Sequence, residues 1–275
     1  MSEGSTAYIS PTAHYTGSVW YNNKMGAPGL STARGQLYYN FVRPFDWLAA
    51  SLTGGLSLEN SLLQRHKLID HLLTQKIESG EVTQVVEIAA GISPRGYRFR
   101  NKYPHLKYLE TDLPGMINTR RQLAQQIPEM QQHLIELDAL NDDYMTVLGK
   151  RLDQSQACAM ITEGLIGYLN KPQAEQVWSR VFSFMSHFNS GTYYTDMHVA
   201  EHNQNVVVDL FKRGLALFVG NTIEWAFETD EEVINAMKKN GARGIVLHNP
   251  DDFITSLGLP RVKTSSVVRI ACAEV

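Results

Sequence analysis

Several features that define common protein classes are scarce in this chain of 275 residues. Only two cysteines occur, Cys158 and Cys272, and both lie in apolar stretches. We therefore expect buried free thiols, which suit a reducing compartment, rather than a disulfide framework. No apolar run approaches the ~20 residues of a membrane-spanning helix, and the polar N-terminus lacks the regions of a signal peptide. These absences predict a soluble cytoplasmic protein with no membrane partner.

Excess positive charge and several catalytic signatures are missing as well. The formal net charge is -3, and no basic stripe occurs, so we expect no nucleic-acid partner. The histidines form no H-E-x-x-H pattern and the two cysteines are far apart, which argues against a bound metal. A G-x-S-x-G sequence is also absent, which argues against a serine hydrolase of the α/β type.

Strand-like and helix-like segments alternate from residue 83 onward. Short apolar strands are expected over residues 84–90, 106–112, 134–138, 157–162 and 191–198, with helices between them. This alternation predicts right-handed βαβ units, a parallel sheet and an α/β fold. Two further strands, over 244–248 and 265–273, fit a short antiparallel pair added at the edge of that sheet.

The parts of the chain outside this alternation have a different character. The stretch 11–45 is rich in Tyr, Asn, Gly and Pro and is expected to be irregular, whereas 58–77 has the apolar spacing of an amphipathic helix. The segment 199–228 is longer than a plain crossover and could cap a pocket, and helices are expected over 203–218 and 229–240. We therefore predict a single domain over 1–275. Its parts are an arm and helix (1–82), a ligand-binding core (83–198), a lid insertion with a helix (199–242) and C-terminal strands (243–275).

The first candidate ligand site is the turn after the first strand. The apolar run from Val85 ends in Ala89, Ala90 and Gly91, small residues that let a ligand approach the end of a central strand. The dinucleotide fingerprint G-x-G-x-x-G is absent, since its three glycine positions hold Ala89, Gly91 and Pro94. A nicotinamide dehydrogenase is therefore disfavoured.

Acidic residues occur in or just after the first four predicted strands. Glu110 and Asp112 close the second strand about 20 residues after the glycine, where nucleoside-binding α/β folds place an acceptor for ribose hydroxyls. Both point to the same face, so either could be that acceptor. Asp138 and Glu163 close the third and fourth strands. Glu87 lies inside the first strand and either contacts the ligand or supports the loop. Carboxylates at one rim favour a cationic nucleoside over a phosphorylated one.

Four segments together resemble the leucine carboxyl methyltransferase family, especially a bacterial branch similar to polyketide O-methyltransferases of the tetracenomycin type. They are VVEIAAGISPRGYRF (85–99), YLETDLPGMINTRRQL (108–123), LIELDAL (134–140) and ITEGLIGYL (161–169). The resemblance covers most of the chain. It implies a class I methyltransferase dependent on S-adenosyl-L-methionine (SAM), with a Rossmann-like fold. The sheet would have seven mostly parallel strands and an antiparallel C-terminal strand, with an N-terminal helical arm and a lid insertion.

The resemblance also implies cofactor contacts, position by position. The helix LLQRHKLIDHLL (62–73) also resembles the bacterial branch, and its Arg65 matches the helix arginine that binds the methionine carboxylate of SAM. Gly91 matches the glycine of the first turn. Asp112 matches the acid that binds the ribose. Asp138 matches the acid before the adenine contact, with Ala139 beside it.

Glu163 matches the acid of the family's E-G-L motif. One departure lies in the first turn, where the family often reads G-A-G-L-D-T-R. Here Ala89 replaces the first glycine and Ser93 replaces the aspartate. The loss of that charged anchor leaves the contacts of this loop open.

Methyl transfer from a sulfonium is an in-line displacement, so the enzyme mainly aligns the two groups and excludes water. A carboxylate acceptor needs no general base, whereas a phenol or alcohol does. His198 and His14 are the candidate bases, and each could equally be structural. Tyr168 could contact the substrate or the sulfonium region, or simply pack.

The sequence leaves the acceptor open. Aromatic residues of the arm and the insertion would suit a flat, polyketide-like aromatic acid, although they are also common core residues. They are Tyr15, Trp20, Tyr21, Phe218, Trp225 and Phe227. We expect an O-methyltransferase acting on a small-molecule carboxylate or hydroxyl. The alternatives are a protein C-terminal carboxyl methyltransferase and a SAM- or nucleoside-binding protein without catalysis. The oligomeric state is open, a homodimer included.

Overall fold

The computed structural model describes residues 4–27, 29–202, 225–261 and 266–275. Three features predicted from the sequence fall wholly or mostly on residues outside these ranges. They are the helix over 203–218, the aromatic Phe218 and most of the segment 199–228 that could cap a pocket.

The described strands form one seven-stranded sheet in the order β3–β2–β1–β4–β5–β7–β6. The strands are β1 (Gln84–Ile88), β2 (Lys107–Asp112), β3 (Leu134–Glu136), β4 (Cys158–Thr162), β5 (Gly191–Met197), β6 (Ile245–His248) and β7 (Arg269–Glu274). The first five pair in parallel, and β7 runs antiparallel to both β5 and β6. The predicted α/β class with an antiparallel C-terminal strand is therefore confirmed.

Helices precede the sheet and connect its strands. They are α1 (Gly4–Asn22), α2 (Ala33–Thr53), α3 (Leu58–Glu78), α4 (Arg95–Lys102), α5 (Pro114–Leu123), α6 (Pro128–Gln131), α7 (Tyr144–Leu148), α8 (Lys171–Met185), α9 (Asp230–Lys239) and α10 (Ile254–Leu257). None of the helices in the described part of the chain is long and apolar enough to cross a membrane.

The prediction of irregular structure over 11–45 was wrong, because this stretch contributes to two long helices. Thr32 caps α2 by accepting the N–H of Gly35 at 2.9 Å. A side chain on Gly35 would collide with the backbone of α1, so this glycine lets the two helices approach closely. Tyr15 and Trp20 of α1 also pack into one buried cluster with α2 and α3. Tertiary packing thus overrides the low local helix propensity.

Both faces of the sheet are covered, which explains the nearly continuous apolar strands. Successive residues of a strand point to opposite faces. Val86 belongs to the cluster that contains Trp178 of α8, whereas Val85 belongs to the cluster that contains Leu68 of α3. Because α3 packs on one face of the central strands, its polar side chains reach the carboxyl ends of β1 and β4.

Both cysteines are free, as predicted, but they differ in burial. Cys158 is fully buried in β4, and burial raises the pKa of its thiol to about 12. Cys272 in β7 is only partly buried. The division of the chain into a single domain with four parts stays a prediction.

Candidate functional site

The turn after β1 contains two residues in the left-handed backbone region. Ala89 has a φ of 53° and Gly91 a φ of 52°. Glycine adopts this conformation freely, whereas an alanine there costs about 1–2 kcal/mol. The turn lies where the strand order reverses between the β2 side and the β4 side of β1. Open α/β sheets bind ligands at such a switch point.

Asp112, the last residue of β2, fastens this turn to the neighbouring strand. Its carboxylate accepts the backbone N–H of Gly91 at 2.7 Å and that of Leu113 at 2.8 Å. Burial raises the pKa of Asp112, while these two donors act in the opposite direction. An ionised carboxylate has about four acceptor positions. Asp112 can therefore hold the loop and still accept hydroxyl groups of a ligand.

A cleft lies beside this turn. It is bounded by α1, α3, the first turn and the loop after β4. Among the described residues its lining comprises Thr12, Ala13, Thr16, Trp20, Arg65, His66, Glu87, Ala89, Ala90, Gly91, Ile92, Ser93, Asp112, Glu163, Gly164 and Tyr168. Six of the predicted site residues are thus brought together. They are Arg65, Glu87, Gly91, Asp112, Glu163 and Tyr168.

Arg65 of α3 is held between two carboxylates. Its Nε donates to Glu163 at 3.1 Å, and one terminal nitrogen donates to Asp196 at 3.0 Å. Asp196 also accepts the N–H of Gly164 at 2.6 Å. The side chain of Arg65 is 16% exposed, so the guanidinium is fixed in direction and still reaches the cleft.

Arg95, at the start of α4, links α3, β1 and the loop after β4. It is fully buried and donates to Asp70 of α3 at 2.6 Å, to Glu87 of β1 at 2.7 Å and to Glu163. The second carboxylate oxygen of Glu87 accepts the hydroxyl of Tyr108 at 2.8 Å. Each oxygen of Glu87 therefore has a donor within the protein, and the residue links β1 to α4 and β2.

The carboxyl group of Glu163 is strongly perturbed. Burial would raise its pKa, but the neighbouring His66, Arg95 and Arg65 outweigh burial and hold the pKa well below its usual range. His66 Nδ1 lies 2.8 Å from a Glu163 oxygen, and Trp20 stacks on the His66 ring at 4.2 Å. Glu163 is thus a permanently charged group at the floor of the cleft.

Arg95, Asp70 and Asp196 were not among the site residues predicted from the sequence. One signal was present for Arg95, since it occupies the position of the arginine that ends the quoted family motif G-A-G-L-D-T-R. No comparable signal marks the other two. Asp70 lies on the amphipathic helix α3, where acids are common on solvated faces, and Asp196 lies inside a strand.

A second pocket adjoins the cleft and shares Thr12, Thr16, Arg65 and Tyr168 with it. Its lining is mostly apolar and also comprises Tyr15, Leu58, Ser61, Leu62, His198 and Val268. His198 Nδ1 lies 2.9 Å from the backbone oxygen of Val267. A carbonyl only accepts, so Nδ1 carries the proton in this bond. The neutral ring then has its acceptor at Nε2.

Three predicted cofactor residues lie outside the cleft lining. Glu110 is fully buried, and its carboxylate accepts from Arg100 at 3.0 Å and from Arg120. Of the two acids at the end of β2, only Asp112 reaches the cleft. Asp138 caps the turn after β3 by accepting the N–H of Leu140 at 2.9 Å.

Ala139, next to Asp138, is buried and accepts the Tyr144 hydroxyl at 2.9 Å through its backbone oxygen. His14 lies in α1 with its Nδ1 at 3.0 Å from the Thr32 hydroxyl, in neither pocket. Trp20 and Tyr15 each line one of the pockets, whereas Tyr21 is half exposed.

The two aromatic residues at the end of the insertion pack against other rings. Trp225 stacks on His198 with ring centroids 4.6 Å apart. Phe227 is buried and stacks on Trp178 at 5.2 Å. Phe227 is therefore a core residue, whereas Trp225 covers the histidine of the second pocket.

One further cluster could offer ligands to a metal ion: Glu201, His202 and Asp230 each have one possible metal-ligating atom, and these three atoms lie within 4.8 Å of one another. All three are partly or fully exposed. His202 Nε2 lies 2.9 Å from Asp230, a distance that an ordinary ion pair explains. The cluster lies in neither pocket, and the absence of a bound metal stays a prediction.

The charge of the cleft limits what it can bind. Its lining holds three carboxylates, those of Glu87, Asp112 and Glu163, against the single guanidinium of Arg65. Arg95 behind the lining pairs with Glu87 and Glu163, so the charged groups left to a ligand are the partly exposed Arg65 and the carboxylate of Asp112. Arg65 can bind a ligand carboxylate, and Asp112 can accept hydrogen bonds from ligand hydroxyl groups.

Comparison with known proteins agrees with this chemistry. The model of the leucine carboxyl methyltransferase family matches residues 43–182, about half of the chain. A Mycobacterium tuberculosis protein, provisionally described as an S-adenosyl-L-methionine-dependent methyltransferase, is 27% identical over 120 residues. This match covers 42% of the chain and 38% of the relative, and a Mycobacterium bovis protein matches equally well. The description agrees with the cofactor predicted from the sequence.

Two solved structures share the fold. One, from Thermobifida fusca and provisionally described as a methyltransferase, has a TM-score of 0.61 at 12% identity over 95% of this chain and 93% of that one. The other, from Nostoc punctiforme and provisionally described as an O-methyltransferase, has a TM-score of 0.53 at 14% identity over 85% and 69%. The predicted Rossmann-like methyltransferase fold is therefore confirmed.

Proposed function

The chain belongs to the leucine carboxyl methyltransferase family, and on that basis we propose that it transfers a methyl group from SAM to an oxygen atom of its acceptor. The observation that carries the proposal is the cleft beside the small-residue turn, which Arg65 and Asp112 line together. SAM has a carboxylate that Arg65 can bind and ribose hydroxyl groups from which Asp112 can accept hydrogen bonds.

Different residues would bind different parts of SAM. Arg65 would hold the methionine carboxylate, Asp112 the ribose hydroxyls, and the charge of Glu163 would balance the positive end of the ligand. Gly91 leaves room for a close approach. Asp138 and Ala139 follow β3 on the edge of the sheet where Asp112 ends β2, and they are the proposed neighbours of the adenine.

Two of the predicted cofactor residues act indirectly in this proposal. The carboxylate oxygens of Glu87 accept from Arg95 and Tyr108, and those of Glu110 accept from Arg100 and Arg120. We assign both to supporting the loops that carry Gly91 and Asp112. When bound, SAM supplies a methyl group on a positively charged sulfur.

The acceptor would occupy the second pocket, which meets the cleft at Arg65 and Tyr168. Residues 12–16 of α1 form part of its wall, and this favours a small molecule over a peptide tail. Tyr168 lines both pockets, so its side chain can contact a ligand at the junction. His198 lines this pocket and is the candidate base for a hydroxyl acceptor, while a carboxylate acceptor would need no base.

Two other functions stay in competition with a small-molecule O-methyltransferase. The family name favours a protein carboxyl methyltransferase that esterifies a C-terminal residue of a partner. A binding protein without turnover would use the same cleft. A polyketide-like aromatic acid is the proposed acceptor, because Tyr15 lines the second pocket and Trp225 stacks on His198.

The first test is calorimetric titration with SAM, S-adenosylhomocysteine and NAD. We expect micromolar binding of the first two, roughly -8 kcal/mol, and none of NAD. Asp112→Ala should abolish binding. Glu136→Gln is the matched control, because Glu136 pairs with Asp112 in the sheet register but forms only an exposed ion pair with Arg121. Failure of wild-type protein to bind either SAM or S-adenosylhomocysteine would overturn the proposal.

Release of S-adenosylhomocysteine then identifies the acceptor. The panel is an aromatic carboxylic acid, a phenol and a peptide that ends in leucine. Turnover of either small molecule supports the proposed class. Turnover of the peptide alone would establish the protein carboxyl methyltransferase. SAM binding without turnover of any of the three would favour the binding protein.

A further inference from the structure

The outward face of α2 carries a continuous apolar stripe. Five large side chains on this face are between 50% and 78% exposed: Leu37, Phe41, Phe45, Leu48 and Leu52. Pro44 is exposed between them. At 100° per residue these positions lie within about a third of the helix circumference, the width of a face that a helix normally buries. In α2 this face points outward.

The stripe is larger than isolated surface residues explain. At roughly 150–200 Å² for each whole side chain, these exposed fractions correspond to roughly 500–650 Å². Trp47, 70% exposed beside the stripe, brings the area to roughly 600–800 Å². The largest apolar patch on a typical monomer is about 300–600 Å², and one side of a stable protein interface buries about 800 Å².

The order of apolar residues along the stripe is the same in both directions. About a midpoint between Pro44 and Phe45, Phe41 mirrors Leu48 and Leu37 mirrors Leu52. A two-fold interface requires this kind of self-complementarity, because residue i of one copy then meets residue j of the other and j meets i. An antiparallel pair of α2 helices would therefore place every apolar residue of the stripe against another.

We propose that this stripe is the two-fold interface of a homodimer, in which α2 packs antiparallel against α2 of a second copy. The charges of α2 agree with a second copy of the chain as its partner. Arg34 lies near the first turn of α2 and would lie opposite Gly54 and Gly55 of the second copy, where α2 ends. A cation is favourable beside the carbonyl end of a helix. The described residues of α2 present no exposed acid that would be buried in the interface.

The interface would support the cleft without forming part of it. The inner face of α2 packs on α1, where Tyr39 joins the cluster of Tyr15, Val19 and Trp20. Trp20 and other residues of α1 line the cleft. Dimerisation would thus stabilise α2 and the helix α1 behind it from the outer side, while α1 faces the ligand on the inner side.

Disulfide trapping tests the register of the pair. With oxidised glutathione as the oxidant, Phe45→Cys should cross-link to a second copy of itself, because position 45 lies next to the two-fold axis. Leu52→Cys alone should not, since its two copies would lie about 22 Å apart along the helices. A mixture of Leu37→Cys and Leu52→Cys proteins should give the mixed dimer. Equal trapping of all single variants would overturn the proposed register.

Mass measurement by sedimentation tests the dimer itself. Wild-type protein at about 10 μM should have twice the chain mass of 30.9 kDa, and Phe41→Glu should shift it to the monomer while its circular dichroism spectrum stays that of the folded protein. Val246→Glu, at a 54% exposed position on β6, is the matched control and should stay dimeric. A monomeric wild-type protein would overturn the proposal. So would a monomer that binds anionic phospholipid vesicles, since a membrane would then cover the stripe.

Discussion

The carboxylate of Asp112 accepts the backbone N–H of Gly91 at 2.7 Å. This bond joins the end of β2 to the turn after β1, so the proposed ribose acceptor and the ligand loop form one unit. The carboxylate is buried and negative beside a turn whose neighbour Ala89 has a positive φ. Strain and buried charge of this kind are common at binding sites.

The strain at Ala89 leads to the first prediction. Ala89→Gly should raise the free energy of unfolding by about 1 kcal/mol, because glycine has no Cβ penalty in the left-handed region. The measurement is chemical denaturation of the ligand-free protein. Ala90→Gly is the control, since Ala90 is not among the residues with positive φ. It should destabilise the protein, and a similar gain in both variants would refute the role of strain.

The buried ion cluster around Arg95 predicts a large cost for removing one partner. Asp70→Asn should lower the free energy of unfolding at pH 7 by about 3 kcal/mol, because buried guanidinium charge then lacks a carboxylate. Glu81→Gln breaks an exposed pair with Lys76 instead and should leave the free energy of unfolding almost unchanged. Equal effects in the two variants would contradict a buried pair.

The same cluster predicts acid sensitivity. Burial would raise the pKa of Asp70, but His66, Arg95 and Arg98 outweigh it and lower the pKa. A carboxyl group with a lowered pKa contributes stability above its unfolded pKa, and this contribution is lost as pH falls through the folded pKa. The difference between wild type and Asp70→Asn should therefore be complete at pH 7 and shrink below about pH 4. Urea titrations at pH 7, 5, 4 and 3 measure it, and a constant difference would be the contrary result.

The planar guanidinium group of Arg65 predicts a selective effect on ligand binding. Arg65→Lys cannot contact Glu163, Asp196 and a ligand carboxylate in the same planar geometry. We expect a loss of about tenfold or more in affinity for SAM and for S-adenosylhomocysteine. Methylthioadenosine, which lacks the amino-acid carboxylate, should bind the variant and the wild type equally. An equal loss for all three ligands would show general damage to the cleft instead.

His198 predicts a difference between acceptor classes. His198→Asn should lower kcat for a phenol or alcohol acceptor by roughly 10²- to 10⁴-fold, because the proton must be taken up as the oxygen attacks. With a carboxylate acceptor kcat should change little, since that group is already ionised. Steady-state kinetics with both acceptors separates these outcomes. Equal losses would assign His198 to positioning Val267 and Trp225 rather than to proton transfer.

The residues themselves determined the sheet and one part of the site. Short apolar strands that alternate with helices required a parallel sheet, and apolar residues on both faces of each strand required helices on both sides. The small-residue turn at Gly91 and the acid Asp112 were recognisable because both follow local rules of strand ends. They are separated by about 20 residues along the chain, the spacing at which nucleoside-binding α/β folds bring these two positions together.

Tertiary structure decided what local patterns could not. The stretch 11–45 looked irregular because Gly, Asn and Pro lower helix propensity, yet packing of Trp20 and Tyr39 against α3 makes it helical. Glu110 and Asp112 were equivalent by strand alternation, and only tertiary packing pairs Glu110 with Arg100 and Arg120 and places Asp112 at the cleft. Arg95 meets Asp70, Glu87 and Glu163 across long sequence separations, and such pairing depends on how elements pack rather than on any short pattern.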